Sequence, residues 1–202
     1  MALLASSALL GACSDTVAPR AVEPESSTAE SPFVPSAAST ALVGVSDGTY
    51  TFTVDPRKPN GLLLGANMLA LPRNSICDLE TSTYGASTWD TACTPETAPV
   101  TITAIVRDAG TATPRIDFLP AMRFNPATKV TLYMYTPDAE DRKAAQSWVM
   151  KYCNDANVCI DESLTDRTLV TLVDQRTNIV YRRIKHFSGY ILSSGLVEEY
   201  LP

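Results

Sequence analysis

Thr49-Tyr50-Thr51-Phe52-Thr53-Val54 alternates a hydroxyl with a large apolar side chain at every step. Successive side chains of an extended strand point to opposite faces, so this run reads as a strand with one wet and one buried face. Val100-Thr101-Ile102-Thr103-Ala104 repeats the pattern. Further strands are expected at Arg115–Phe118, Lys129–Tyr135, Ser147–Cys153, Thr168–Val173, Asn178–Lys185 and Phe187–Leu192. Asn154-Asp155-Ala156-Asn157 and Asp174-Gln175-Arg176-Thr177-Asn178 carry turn chemistry between them. A helical turn or two is expected only around Asp138–Gln146, which is rich in Ala and charge. Many short strands joined by polar turns make an all-β chain, an antiparallel sandwich or barrel.

The 202 residues, 45% hydrophobic and 19% charged, suffice for one core rather than several. A net charge of -6 argues against a nucleic-acid groove, which needs clustered Lys and Arg. No apolar run reaches the length of a membrane span. The single histidine, His186, leaves little room for a His-based metal centre or for a Ser/His/Asp triad in a large cleft. No cofactor is expected.

Residues 1–12, MALLASSALLGA, are apolar or small and run directly into Cys13. Leu10-Gly11-Ala12-Cys13 resembles the lipobox of bacterial lipoproteins. That resemblance implies a signal peptide cut before Cys13, which becomes the acylated N-terminal residue and anchors the chain to the membrane. Ser14 rather than Asp at the next position implies the outer membrane. No Lys or Arg precedes Arg20, so either the start lies upstream of Met1 or export relies on the apolar run alone. From Cys13 to Ser46 the composition is Ser, Pro, Ala and Glu, expected as a flexible tether holding the domain on the order of 30 Å from the bilayer. With Cys13 assigned to lipid, Cys77, Cys93, Cys153 and Cys159 remain. They lack the CxxC knuckles of a zinc site, and local pairing, Cys77 with Cys93 and Cys153 with Cys159, closes the shortest loops. Disulfides imply an oxidising extracytoplasmic compartment.

Pro114-Arg115-Ile116-Asp117-Phe118-Leu119-Pro120-Ala121-Met122-Arg123-Phe124, leading into Val130-Thr131-Leu132-Tyr133-Met134, resembles the ZU5-domain pattern. Asn67-Met68-Leu69-Ala70-Leu71-Pro72 is similar to the first core strand of that domain, and His186-Phe187-Ser188-Gly189-Tyr190 to the His-Phe-Ser motif that closes it in some relatives. The glycine-rich opening and the full Ile-Pro-Pro-Gly-Ala turn are missing, which marks a divergent member. The resemblance implies a ZU5-like antiparallel β-sandwich over residues 47–193, followed by a tail at 194–202, and a role as an interaction module.

In some relatives the bond between Phe187 and Ser188 cuts itself. Residues two apart on a strand share a face, so His186 is in register to take the Ser188 proton, and Gly189 would permit an unusual backbone angle beside it. The plainer alternative is a strand with Phe187 in the core and His186 and Ser188 on the wet face, which needs no chemistry. No site for an external substrate can be built around this pair, because no third residue is identifiable as an orienting acid. Asp155, Asp161 and Glu162 near Asn157 are candidates for calcium, but their spacing is not that of an EF-hand loop, and no metal is expected. Trp89 and Trp148 read as core or disulfide-packing residues rather than a carbohydrate platform. Arg182, Arg183 and Lys185 read as protection of an edge strand.

The leading expectation is a lipid-anchored envelope protein displaying a binding or scaffold domain, with no catalysis on an external substrate and an unidentified protein partner. Self-processing at Phe187–Ser188 is the alternative. A small secreted hydrolase is a third class, for which no constellation is visible.

Overall fold

The computed structural model describes residues 44–140 and 148–194. The signal peptide at 1–12, Cys13, nearly all of the tether, most of the expected helical stretch and the tail beyond Ser194 lie outside them. Among the described residues eleven strands form two antiparallel sheets packed as a sandwich. They are β1 (Gly48–Val54), β2 (Asn60–Leu64), β3 (Asn67–Leu71), β4 (Val100–Arg107), β5 (Arg115–Leu119), β6 (Thr131–Tyr135), β7 (Trp148–Cys153), β8 (Cys159–Ile160), β9 (Leu172–Asp174), β10 (Ile179–Arg183) and β11 (Gly189–Ser194). One sheet runs β1-β4-β5-β11-β7-β8 and the other β2-β3-β6-β10-β9. Among the described residues no helix is long and apolar enough to cross a membrane.

The alternation that marks β1 and β4 does the expected work. Val100, Ile102, Ala104 and Val106 of β4 are buried, while Thr101 and Thr103 face outward against Thr53 and Thr51 of β1. From the opposite sheet Leu62, Leu64, Leu69, Leu71, Leu132, Met134 and Val180 close the same core. Two sheets that each bury one face leave a dry layer between them, and burial of that layer is the main stabilising term.

Both expected disulfides form. Cys153 and Cys159 face each other across the β7–β8 hairpin, where Asn157 takes a positive φ of 59° and Asn154 Oδ1 accepts from Ala156 N and Val158 N. Cys77–Cys93 closes a loop in the long β3–β4 connection. Asp174–Asn178 turns β9 into β10, as its composition suggests.

Around Asp138 the described chain forms a 3-10 turn, Pro137–Glu140, and the rest of the expected helical stretch lies outside the described residues. Two expectations are corrected. Arg182 and Arg183 do not guard an edge, because β10 is flanked by β6 and β9; Arg182 is buried between the sheets, and Lys185 is nearly so. Finally, the expected strand Phe187–Leu192 starts only at Gly189. Residues Ile184 to Ser188 are the crossover from one sheet to the other, held by Ile184 N to Val130 O, Phe187 N to Met122 O and Phe118 N to Ser188 O.

Candidate functional site

The crossover is pinned from inside by Phe187, which stacks on Phe118 (centroids 4.5 Å apart) and meets Phe124 edge-on. With Phe187 turned into the core, His186 and Ser188 turn together to the other side. His186 Nδ1 lies 3.1 Å from Ser188 Oγ, so the shared face inferred from their spacing is real. That face is not wet: His186 has no exposed surface, while Ser188 is partly open.

Aromatic rings enclose the imidazole. Trp89 stacks on it, Tyr152 meets it edge-on at 4.7 Å, and Tyr190 lies beyond, donating its hydroxyl to the His186 carbonyl at 2.7 Å. Trp148 is core, as expected, whereas Trp89 is half-buried and belongs to the site. Tyr84 donates to the carbonyl oxygen of Phe187 at 2.7 Å, the carbonyl of the Phe187–Ser188 bond.

An orienting acid is present after all. Glu162 Oε1 lies 3.1 Å from His186 Nε2, and its other oxygen pairs with the buried guanidinium of Arg182. Glu162 heads a 3-10 turn, Glu162–Leu164, capped by Asp161, which accepts from Ser163 N at 2.9 Å. The cap turns the Glu162 side chain inward, while Arg182 reaches across from β10 and also donates to Met150 O on β7. The acidic turn that suggested calcium is therefore put to other uses, and among the described residues no cluster of three or more His, Cys, Asp or Glu could hold a metal ion.

Electrostatics sets the proton positions. Burial works against the charge on Glu162, but the hydrogen bond from His186 and the Arg182 guanidinium outweigh it and hold the carboxyl below its ordinary range. Burial pushes His186 below its ordinary value, with Arg182 acting in the same sense and Glu162 opposing. An ionised Glu162 can only accept, so Nε2 of the neutral ring carries the proton and Nδ1 presents its lone pair to the Ser188 hydroxyl. Lys185 is fixed nearby by Asp90 and Asp166, both at 2.5 Å.

Sequence reasoning found His186 and Ser188 but missed the role of Glu162, and missed Tyr84 and Arg182 as neighbours. The one available signal was chemical: a lone histidine beside a core phenylalanine needs a polar partner on its far nitrogen. Nothing in the chain order says which acid supplies it. No family model, curated protein or solved structure matches the chain.

Proposed function

We propose that this chain is a lipid-anchored protein of the bacterial envelope whose ZU5-like sandwich cuts its own Phe187–Ser188 bond and keeps both pieces. The two disulfides are consistent with an oxidising extracytoplasmic location, and the Leu-Gly-Ala-Cys run supports the anchor. The observation that carries the self-cut is the line Glu162–His186–Ser188, with both links at 3.1 Å. The burial of His186 and the carboxylate on its far nitrogen support this reading.

The chemistry balances within the chain. His186 Nδ1 takes the Ser188 hydroxyl proton as Oγ adds to the Phe187 carbonyl carbon. The protonated ring then returns the proton to the Ser188 nitrogen, the C–N bond breaks, and an ester joins Phe187 to Ser188 Oγ. One water hydrolyses the ester, leaving a carboxylate on Phe187 and a free amine and hydroxyl on Ser188. The carboxylate of Glu162 stabilises the transient imidazolium, as the acid of a Ser-His-Asp triad does, although here the two ring nitrogens exchange roles.

The second reading is an uncut display or scaffold domain with an unidentified protein partner. It is favoured by the completeness of the network, in which both ring nitrogens of His186 and both oxygens of Glu162 already have partners. Intact mass after denaturation separates the two. The expected result is a long fragment ending at Phe187 and a short one running from Ser188 to Pro202, with Ser188→Ala giving one chain. Hydroxylamine should hasten the cut and leave a hydroxamate on Phe187, the signature of an ester. A wild type that stays one chain through long incubation under native, oxidising conditions overturns the self-cut and leaves the display domain.

A further inference from the structure

The loop closed by Cys77–Cys93 lies over the crossover, touches it at three places and reaches the neighbouring Arg123 at a fourth. Tyr84 donates to Phe187 O at 2.7 Å, and Trp89 stacks on His186 at 3.7 Å. Asp90 pairs with Lys185 at 2.5 Å, and the Thr88 and Thr91 carbonyls accept from Arg123 at 3.0 and 2.6 Å. Its regular structure is slight: an isolated bridge at each root, Ile76 with Phe124 and Cys77 with Pro95, and a 3-10 turn at Ala86–Thr88. Its roots are also tied by Asp78 N to Thr94 O and Glu96 N to Ile76 O, but the stretch between them, which carries Tyr84 and Trp89, has only local turn bonds along its backbone, so its position depends on closure of the roots, which the disulfide completes.

We propose that Tyr84 is a catalytic residue of the self-cut, donating to the oxyanion that develops on Phe187 O, and that the Cys77–Cys93 disulfide delivers it, so that cutting begins only once this bond has formed. This inference rests on the self-cut itself. Nucleophile, base and acid all lie outside the loop, on the crossover and the Glu162 turn, so opening the disulfide leaves Ser188, His186 and Glu162 in place. What is lost is the donor on the carbonyl and the indole that shields the imidazole. Tyr84 is 43% exposed, but its hydroxyl is turned against the Phe187 carbonyl, where desolvation pushes it up to about 12, so it remains a donor at neutral pH. A fixed donor aimed at a developing oxyanion contributes roughly 100- to 1,000-fold in rate. The other disulfide offers an internal contrast. Both loops carry backbone ties of their own, here Asn154 N to Val158 O with the Asn154 side chain, but none of the contacts to the crossover or to Arg123 passes through this hairpin. The chain would thus stay whole in a reducing compartment and cut after export.

The test uses the full chain, made in a reducing cytosol and purified in dithiothreitol. It is then moved into glutathione disulfide, which becomes two glutathione thiols as the protein's thiols become disulfides. Appearance of the Ser188–Pro202 fragment is followed by denaturing gel and mass. Wild type is expected to cut only after oxidation. Tyr84→Phe, which keeps the ring, should form the same disulfides and the same near-UV circular dichroism yet cut about 100-fold slower. Returning Tyr84→Phe to dithiothreitol should slow it much less than it slows wild type, because the donor is already gone and only the cover of the indole remains to be lost. Cys153→Ser/Cys159→Ser should cut within a few-fold of wild type. Equal rates for Tyr84→Phe and wild type, or equal rates for wild type in both redox states, overturn the inference while the self-cut stands. Should reduction unfold the domain, the oxidised Tyr84→Phe rate decides. Oxidised wild type that never cuts overturns the self-cut and this inference together.

Discussion

Trp89 lies flat against His186, ring centroids 3.7 Å apart and planes 21° from parallel. The two residues are far apart in the chain, and with Tyr152, Tyr190 and Glu162 the indole keeps a histidine on a sheet-to-sheet crossover dry. A dry imidazole next to an ion-paired carboxylate is a neutral base, and its neutrality depends on that cover.

His186 is the only histidine, so its ring can be followed alone by NMR. It is expected to titrate below about 6.5 in the folded chain, because burial disfavours its charged form. Trp89→Ala opens the ring to water and should move the titration upward. An unchanged midpoint would mean that the indole contributes nothing to the desolvation.

Acid should destabilise the fold in stages. The folded value of His186 lies below the unfolded one, so between the two the unfolded chain binds more protons and stability falls as pH drops below about 6.5. Glu162 is also lowered, and its contribution disappears as pH falls further, through its depressed folded value. Asp166 is partly desolvated but is held at about 2, chiefly by its hydrogen bonds with Lys185 and Thr168, so its share is lost only as pH falls through that value. At the alkaline end burial raises Tyr190 well above its ordinary value. Its hydroxyl stays protonated in the folded chain while the unfolded chain loses that proton, so stability falls above about pH 10. Urea midpoints from pH 3 to 11 should trace a dome; a flat profile between pH 7 and 5 contradicts the placement of His186.

Glu162→Gln keeps the shape but strands the Arg182 charge between the sheets. Breaking a buried pair from one side costs about 3–5 kcal/mol, read from chemical denaturation. If the self-cut operates, the same change lets the imidazole adopt the wrong tautomer and slows cutting. Glu162→Gln/Arg182→Met removes both charges and should recover much of the stability but not the rate. Recovery of both would reduce Glu162 to a structural partner of Arg182.

Cys77→Ser/Cys93→Ser should cost about 3 kcal/mol and Cys153→Ser/Cys159→Ser about 2, because the former closes the longer loop. Urea midpoints of the oxidised variants check the order. A reversed order would mean that strain or residual unfolded structure, rather than loop length, governs the pair.

Cys13→Ala should leave an unacylated chain outside the detergent-extracted membrane fraction. Wild type recovered wholly in the soluble periplasmic fraction, without acyl mass, would remove the anchor from the proposal.

Much of the sandwich was legible because a half-buried strand writes its period into the sequence, as Thr49–Val54 and Val100–Ala104 do. The strand β2, Asn-Gly-Leu-Leu-Leu, escaped because its leucine run does not alternate, and β8 because two residues carry no period. At the site, His186 and Ser188 were readable because their relation is local. Glu162 was not, since a charged turn is usually solvated, and only its Asp161 cap and the reach of Arg182 turn it inward. Arg182 misled for a related reason: composition places Arg on surfaces, whereas here a carboxylate from another element meets it in the interior. Tyr84 comes from a Ser- and Thr-rich loop with no period to mark it.

The strand order gives the two ends of the domain different mechanical character. β1 sits at the rim of its sheet and is held by β4 alone, whereas β11 lies between β5 and β7. A load entering at Gly48 would unzip β1 one ladder rung after another. A load on β11 along its axis must shear two ladders at once. If the chain is cut after Phe187, the released segment keeps both ladders, so tension applied from the amino-terminal side would strip β1 first and leave the severed strand seated.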